Sequence, residues 1–411
     1  MGETPRKQGI TIEFSCQFRV NLEGSTFSSI MKAFVMLLPK LLEDFFQKVL
    51  IGFGEYEMQL KKKTFPCKHC GNDTDFVWKT RHGKATNILT VFCWITLGQL
   101  QVVCKRCGSK QYITRMLLGL EPKKRIPDET RGKLALIGAL TTYRVSEKIG
   151  KMFGWAVDKM TIWKSVQQIG AKMEFVVDGN EQPRGEADGT GIGIIGIPKR
   201  GKELKVLVQY KKGGGIRVAG IDIGNYNGSW KKLFKKSLDV IKGFKEPFLL
   251  LTDGDTSIFE SLKGSVTILF QRCLWHIPYQ AQYVLWKDGV KRKSEEWLHT
   301  VAELMEICAI RPLVDCRDTI EAMIDSKKKR LEKIIEFCSQ KGFTHTVTYL
   351  DNARGDMFTA IENRLEGKTT SRVERLFRTV NMRVNVSKWS MGGALNVTKV
   401  RLAYYYNGFD A

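Results

Sequence analysis

The sequence predicts a multidomain α/β protein: a small cysteine-knuckle domain and a helix pair, followed by a strand-and-helix core that a block of helices interrupts. Three observations carry this. Two Cys-x-x-Cys-Gly turns, at Cys67 to Gly71 and Cys104 to Gly108, bracket strand-rich sequence. Three strand-like runs (about 186–197, 204–210 and 216–223) precede a helical stretch, Trp230–Lys242, and a short apolar run, Phe248–Leu251. Residues 285–366 are then rich in helix formers and charge. The short apolar runs read as buried strands, and i, i+3, i+4 spacing marks the helices.

Composition narrows the classes. The chain has 411 residues, 43% hydrophobic, with 66 Lys and Arg against 43 Asp and Glu, a net charge of +23. Such an excess points to a polyanion, above all nucleic acid. No apolar run reaches the roughly 18 residues of a membrane span, and the opening MGETPRKQG lacks the apolar core of a secretory signal. A cytoplasmic, nucleoid-associated protein with no membrane partner is expected. The ten cysteines are then expected as reduced thiols or metal ligands, not disulfides.

Taken in order, residues 1–60 form a helical N-terminal region, with Ile30, Phe34, Leu37, Leu41, Phe45 and Val49 at mixed helical spacing and Pro39 expected to kink or divide the helix. Residues 61–120 form a zinc ribbon. Cys67, Cys70, Cys104 and Cys107 supply four soft ligands from two tight glycine turns, the donor set of one closed structural Zn²⁺. His69 and His82 are expected at the surface. Residues 127–178 form a helix-turn-helix unit: Tyr143–Gly154 is the first helix and Lys159 onward the second, with Thr161, Lys164 and Gln168 on its polar side for a DNA groove.

The core begins with residues 184–284. Gly191-Ile192-Gly193-Ile194-Ile195-Gly196 matches GxGxxG, but Pro198-Lys199-Arg200-Gly201 and another strand follow. That context is a hairpin, not the strand-to-helix turn a dinucleotide site needs, so nucleotide binding is rejected. Asp188 enters the first strand; Asp253 leaves the fourth, where catalytic groups of α/β sheets collect. Three strands, a helix and a strand is the opening order of an RNase H-like fold. A short helix (Ser257–Leu262) and a second apolar run (Val266–Phe270) lead to Cys273-Leu274-Trp275-His276. After the helical insertion, which carries Lys327-Lys328-Lys329-Arg330, residues 367–411 complete the core. Val373, Leu376, Phe377 and Val380 form one apolar helix stripe, with Glu374 and Arg378 on the adjoining face. Arg372, Arg375 and Arg383 surround this acid with positive charge.

Asp253-Gly254 with Cys273-x-x-His276, Asp188-Gly189 and the Glu374 helix together resemble the mutator-like insertion-sequence transposases, enzymes of the DDE group. The resemblance spans about residues 184–407. It implies a catalytic triad of Asp188, Asp253 and Glu374 holding two Mg²⁺ or Mn²⁺ ions, with Glu362 and Glu366 as alternatives for the third acid. It places Cys273 and His276 beside the metal site in a structural or DNA-positioning role, and Arg372, Arg375 and Arg378 on DNA. The implied partner is double-stranded DNA, both element ends and target, bound by a homo-oligomer. Two other functions are open: a zinc-ribbon, helix-turn-helix regulator without catalysis, and an RNase H-like nuclease that cuts without joining.

Overall fold

The computed structural model describes residues 13, 15, 17–20, 22, 26–79, 85–121, 124–152, 155–197, 202–226, 229–264, 267–310, 317–367, 369–385 and 388–409. It is mixed α/β and divides into two compact units, 1–165 and 166–410. His82, the Phe153–Gly154 helix end, Pro198–Gly201 and Val266 lie outside the described residues.

The first unit opens with α1 (Phe27–Gln59), started by Thr26, whose hydroxyl accepts the Ser29 N–H. Of the two outcomes expected at Pro39, division does not occur: α1 runs unbroken through it. The proline removes the N–H that Val35 C=O would accept, but Val35 is exposed, so water can serve that carbonyl. The first half of α1 leaves Phe27, Ile30, Phe34 and Met36 exposed; the second half packs Leu50 into a core with Phe65, Phe76, Leu100 and Val102. That core lies under an antiparallel sheet. Its strands are β1 (Phe76–Lys79), β4 (Gln101–Cys104) and β5 (Lys110–Tyr112), with the hairpin β2 (Ala85–Leu89) and β3 (Trp94–Gly98) between β1 and β4 in sequence. After the short α2 (Thr114–Leu117) come α3 (Asp128–Leu140), α4 (Tyr143–Met152) and α5 (Lys159–Lys172). Leu134, Val157 and Ile162 pack with Leu89. Two indoles pin the α4–α5 connection to the hairpin, Trp155 Nε1 donating to Val91 O at 2.6 Å and Trp94 Nε1 to Ala156 O at 3.0 Å. The boundary between the two units falls inside α5.

The second unit is built on a mixed sheet: β6 (Arg184–Gly191), β7 (Glu203–Tyr210) and β8 (Ile216–Gly224) antiparallel, then β9 (Phe248–Thr252) and β10 (Ile268–Arg272) parallel to β6, in the order β10-β9-β6-β7-β8. The first strand is shorter than expected. It ends at Gly191, and the chain then crosses to Trp389 through an Ile194–Trp389 bridge and an Ile195 N–H to Trp389 O bond of 2.8 Å. The Trp230–Lys242 stretch is two pieces, α6 (Trp230–Lys235) and α7 (Leu238–Lys242), separated where Ser237 turns its hydroxyl to the Val177 N–H. Trp230, Leu233, Phe234 and Ile241 bury one sheet face together with Ile258 of α8 (Thr256–Leu262).

The insertion is helical, as expected: α9 (His276–Lys287), α10 (Glu295–Cys308), α11 (Arg317–Gln340), α12 (Thr344–Arg354) and α13 (Thr359–Glu362), around Ile277, Ala281, Leu304, Leu331 and Leu350. The basic run on α11 lies on a largely solvated face, as expected, with Lys329 exposed and the other three paired. Lys327 donates to Glu306 O, Lys328 pairs with Glu362 at 2.5 Å, and Arg330 pairs with Glu303 at 2.7 Å. Finally α14 (Ser371–Val384) and α15 (Met391–Tyr406) return to the sheet. Trp389 is buried with its indole N–H on Val384 O, and Ser390 caps α15.

Candidate active site

Parallel register brings the first two acids together. Glu186 of β6 stands across from Leu251 of β9. Two residues farther along each chain are Asp188 and Asp253, so the same register sets them side by side at the end of the sheet. Both are partly open to solvent. Burial, then the Asp253 charge, holds the Asp188 carboxyl well above the usual range; the Gly189 N–H and His276 oppose this, and Glu374 adds to it. Asp253 is also raised, by burial first and by the Asp255 charge, against the Asp255 N–H, His276 and Arg272.

The Asp253-Gly254 pair has a local cause. Gly254 has φ +97°, and a Cβ there would lie 2.3 Å from Arg272 Nη1. Only glycine lets that guanidinium pass behind the acid. Arg272 is fixed in turn by Asp356, at 2.8 Å from Nε and 3.1 Å from Nη2. Asp255 has a different task from its neighbour. Its Oδ1 accepts the Ser257 N–H at 2.8 Å and caps α8, and its Oδ2 accepts Trp230 Nε1–H at 3.0 Å.

The third acid arrives on α14. Glu374 Oε1 lies 3.1 Å from His276 Nε2, and its charge reaches Asp188. The two nearby alternatives are engaged elsewhere: Glu362 with Lys328, and the highly exposed Glu366 with Arg184 at 3.3 Å. Burial alone would lower His276, but Cys273, Asp188 and Asp253 push it up to about 9, so the imidazole is protonated at neutral pH. The Cys-x-x-His segment is a turn joining strand end to helix start. Cys273 N–H donates to Thr252 O at 2.7 Å, and His276 N–H donates to Cys273 O at 3.1 Å.

Sequence reasoning missed what holds α14 in place. Its N-cap residue, Thr370, makes no side-chain cap of its own. The orphan N–H groups of a helix start need acceptors, and distant residues supply them. Cys273 Sγ accepts from Thr370 N at 3.4 Å, and Glu186 Oε2 accepts from Arg372 N at 3.1 Å and Val373 N at 2.8 Å. Tyr210 Oη–H donates to the other oxygen of Glu186, whose carboxylate is fully buried. Asp188's own strand therefore caps the helix bearing Glu374. Nothing local in sequence signals a cap 186 residues away, although a Glu so close to Asp188 on an apolar strand was visible.

Glu186→Ala should leave two helix N–H groups and the Tyr210 hydroxyl without acceptors and destabilise by about 2–4 kcal/mol. Glu186→Gln should stay close to wild type, its oxygen serving the helix and its amide facing Tyr210. Burial raises the Glu186 pKa despite these donors. The folded state therefore binds this proton more tightly than the unfolded state. The stabilising contribution is full below the usual carboxylate value and is lost as pH rises through the raised one. Urea melts across that window should show this slope in wild type and not in Glu186→Gln.

Glu203 was also missed. It is a half-buried acid whose pKa is raised by burial and by Asp255 and Asp253, against the fully buried Lys205 that pairs with it at 2.6 Å.

A cleft of about 230 Å³ opens beside the third acid, lined by Cys273, Trp275, His276, Glu374, Arg375 and Arg378 among others. Arg372, Arg375 and Arg378 are exposed. Arg383, expected to join them, is buried and stacks over the Trp389 ring at 4.7 Å, so it adds no charge at the cleft. Burial alone would raise the Cys273 thiol, but hydrogen bonds from the His276 and Thr370 side chains lower it.

The four cysteines form a separate site in the first unit. Among the described residues they alone bring three or more ligand atoms all within 4.8 Å of one another. The sulfurs of Cys67 and Cys107 are 3.6 Å apart and those of Cys70 and Cys104 3.7 Å. A tetrahedron with Zn–S near 2.3 Å has edges of about 3.8 Å, so this cluster can hold a metal such as zinc. Gly71 and Gly108, at φ +71° and +74°, close the two turns, each N–H returning to the first cysteine's carbonyl. Asn72 Nδ2 adds an outer bond to Cys104 Sγ at 3.5 Å. The acids of the second unit are more loosely grouped, with Glu374 drawn to His276.

On α5, Lys164 and Gln168 are exposed, whereas Thr161 is half-buried and its hydroxyl donates to Asp158 Oδ2 at 3.1 Å. Asp158 caps the helix through the Met160 and Thr161 N–H groups. Thr161 therefore serves the helix start instead of facing outward. No helix among the described residues is long and apolar enough to cross a membrane. A scan of protein-family models finds no match to this chain, and a search of curated proteins finds none either.

Proposed function

We propose that this protein is a DNA transposase of the DDE group, with an RNase H-like core preceded by a zinc ribbon and a helix-turn-helix unit. The observation that supports the reading is the approach of Asp188, within β6, to Asp253, just past the end of the neighbouring parallel strand, with the charge of Glu374 felt at Asp188 and Glu374 itself lining an arginine-lined cleft on a returning helix. Asp188, Asp253 and Glu374 would hold two Mg²⁺ or Mn²⁺ ions. Such ions, when bound by these acids, would supply activation of the attacking oxygen and neutralisation of the leaving one. Arg375 and Arg378 bind the flanking phosphates as guanidinium forks. His276 would orient Glu374, and Cys273 holds the start of the helix that carries it. Water attacks the scissile phosphorus and the 3′-oxygen leaves. The freed 3′-hydroxyl then attacks a target phosphodiester, forming a new P–O bond as the bond to the target's own 3′-oxygen breaks and that oxygen leaves as a 3′-hydroxyl. The ribbon would carry one structural Zn²⁺.

The test is strand cleavage and joining by the purified protein on DNA carrying the inverted repeats that flank its gene, with Mg²⁺ or Mn²⁺. Joined product supports the transposase. Cleavage without joining fits the nuclease. Binding without either fits a regulator, a second reading that the Glu374–His276 pair favours because it occupies the third acid. Lys164 of α5 is proposed to contact phosphate. Lys164→Ala should weaken DNA binding and lower the slope of log affinity against log salt by about one unit. An unchanged slope would place α5 away from the DNA.

A further inference from the structure

The helix that begins at His276 has two unlike faces. Ile277, Pro278, Ala281 and Leu285 of α9 are buried. On the other side Trp275, Tyr279, Tyr283 and Trp286 are 58%, 62%, 53% and 68% exposed. Steps of four, four and three residues keep these four within about 80° of arc on a helix of 3.6 residues per turn. The rings are ordered as two near-parallel pairs. Trp275 and Tyr279 have centroids 5.5 Å apart with planes at 15°, and Tyr283 and Trp286 lie 5.8 Å apart at 25°. The row extends about 16 Å at 1.5 Å per residue. It starts at the cleft, since Trp275 lines the same space as Glu374, Arg375 and Arg378. Toward its far end Lys287 Nζ sits 4.8 Å from the Tyr283 ring centre.

Aromatic plates flanked by cations at both ends suit a partner with flat faces and negative charge. A second copy of this chain, itself carrying a net +23, would bring like charge to the same place. Bases inside a duplex hide their faces in their own stack, whereas unpaired bases offer them to protein rings. We propose that Trp275, Tyr279, Tyr283 and Trp286 form a stacking track for unpaired nucleotides of the DNA strand next to the scissile phosphate. This deepens the proposed function and rests on it for the position of that phosphate.

The test uses the full chain and two labelled DNAs, a blunt duplex and the same duplex with a short unpaired thymidine tail, with Ca²⁺ present. Wild type should bind the tailed DNA more tightly. Tyr283→Ala and Trp286→Ala should each weaken tailed binding about 10-fold while changing blunt binding less than about twofold. Tyr283→Phe and Trp286→Phe, which keep a ring, should retain the preference. A wild type without tail preference, an equal loss on both DNAs, or a changed oligomeric mass with unchanged tail affinity would each overturn the track. The Asp253→Asn protein separates the two readings. A tail preference that it shares with a wild type unable to cleave any DNA supports the track and sinks the cleavage reading. Normal cleavage with no ring effect sinks the track alone.

Discussion

Asp253→Asn is expected to keep the fold and the DNA affinity while strand cleavage falls by about three orders of magnitude or more. On the proposed reading the substitution removes one oxygen ligand from the metal site and leaves the basic surface untouched. The fold should tolerate it because burial already disfavours the Asp253 charge, and a neutral amide of the same shape relieves that desolvation. Asp188→Asn should behave alike, for the same reason. Glu374→Gln breaks the pair with His276, but the Glu374 side chain is 44% exposed, so its loss should cost little stability. Combining these variants should add little to the loss of cleavage, because residues that act as a unit are not additive. Asp255→Asn is the control inside the same loop. Asparagine still caps α8, while the amide cannot accept the Trp230 indole N–H, so about 1 kcal/mol of stability should go without loss of cleavage. Glu362→Gln and Glu366→Gln should cleave normally, since those side chains pair with Lys328 and Arg184. Ca²⁺ should permit binding with little turnover. Three acid variants that match wild type in a preparation that does cleave would remove the DDE mechanism.

These residues were legible in the sequence to different degrees, for physical reasons. Asp253 could be singled out because β9 is a short apolar run whose end is marked by glycine, whereas Asp188 lies inside β6, which has no apolar run, and rested on the order of the strands. The α14 stripe was legible because Val373, Leu376, Phe377 and Val380 all go inward. Helix formers mark the insertion without assigning partners, so the ion pairs of Lys328 and Arg330 had no sequence signal. Arg383 shows the converse: an arginine near an acid in sequence packed on Trp389 instead. Pro39 leaves α1 continuous, and the Val35 carbonyl it frees belongs to an exposed residue where water can serve it. Glu186 was hidden because capping in trans depends on the sheet and the helix meeting, which no local pattern encodes. The α9 row is the opposite case. Its spacing was visible, but exposure is what separates a stacking surface from a core stripe, and exposure appears only with the fold.

Removal of a metal held by the four-cysteine cluster should have the second large effect. A closed four-thiolate site ties the two turns together, and structural zinc binds small domains with an apparent ~10–16 kcal/mol at neutral pH. Much of that is folding energy here, because Cys67 and Cys104 are themselves part of the Leu50, Phe65 and Val102 core. Crowded thiols without a cation cannot all ionise. Cys107 is pushed up to about 12 by burial and by its three neighbours against the Ser109 N–H, while Cys104 falls to about 6 on hydrogen bonds from Asn72 and the knuckle backbone that outweigh its burial. A divalent ion resolves this conflict by holding all four as thiolates. Purified protein should contain about one zinc per chain. Cys67→Ser, or a strong chelator, should release it and unfold the first unit, seen as lost near-ultraviolet signal and protease cutting within 61–120. Cys93→Ser is the comparison: Cys93 is buried and packs with Ile88, Ile95 and Leu97, outside the metal cluster. It should keep its zinc and lose only packing energy. A metal-free chain that stays folded, with all four thiols open to reagent, would show that the turns close without an ion and that the cysteines are core residues.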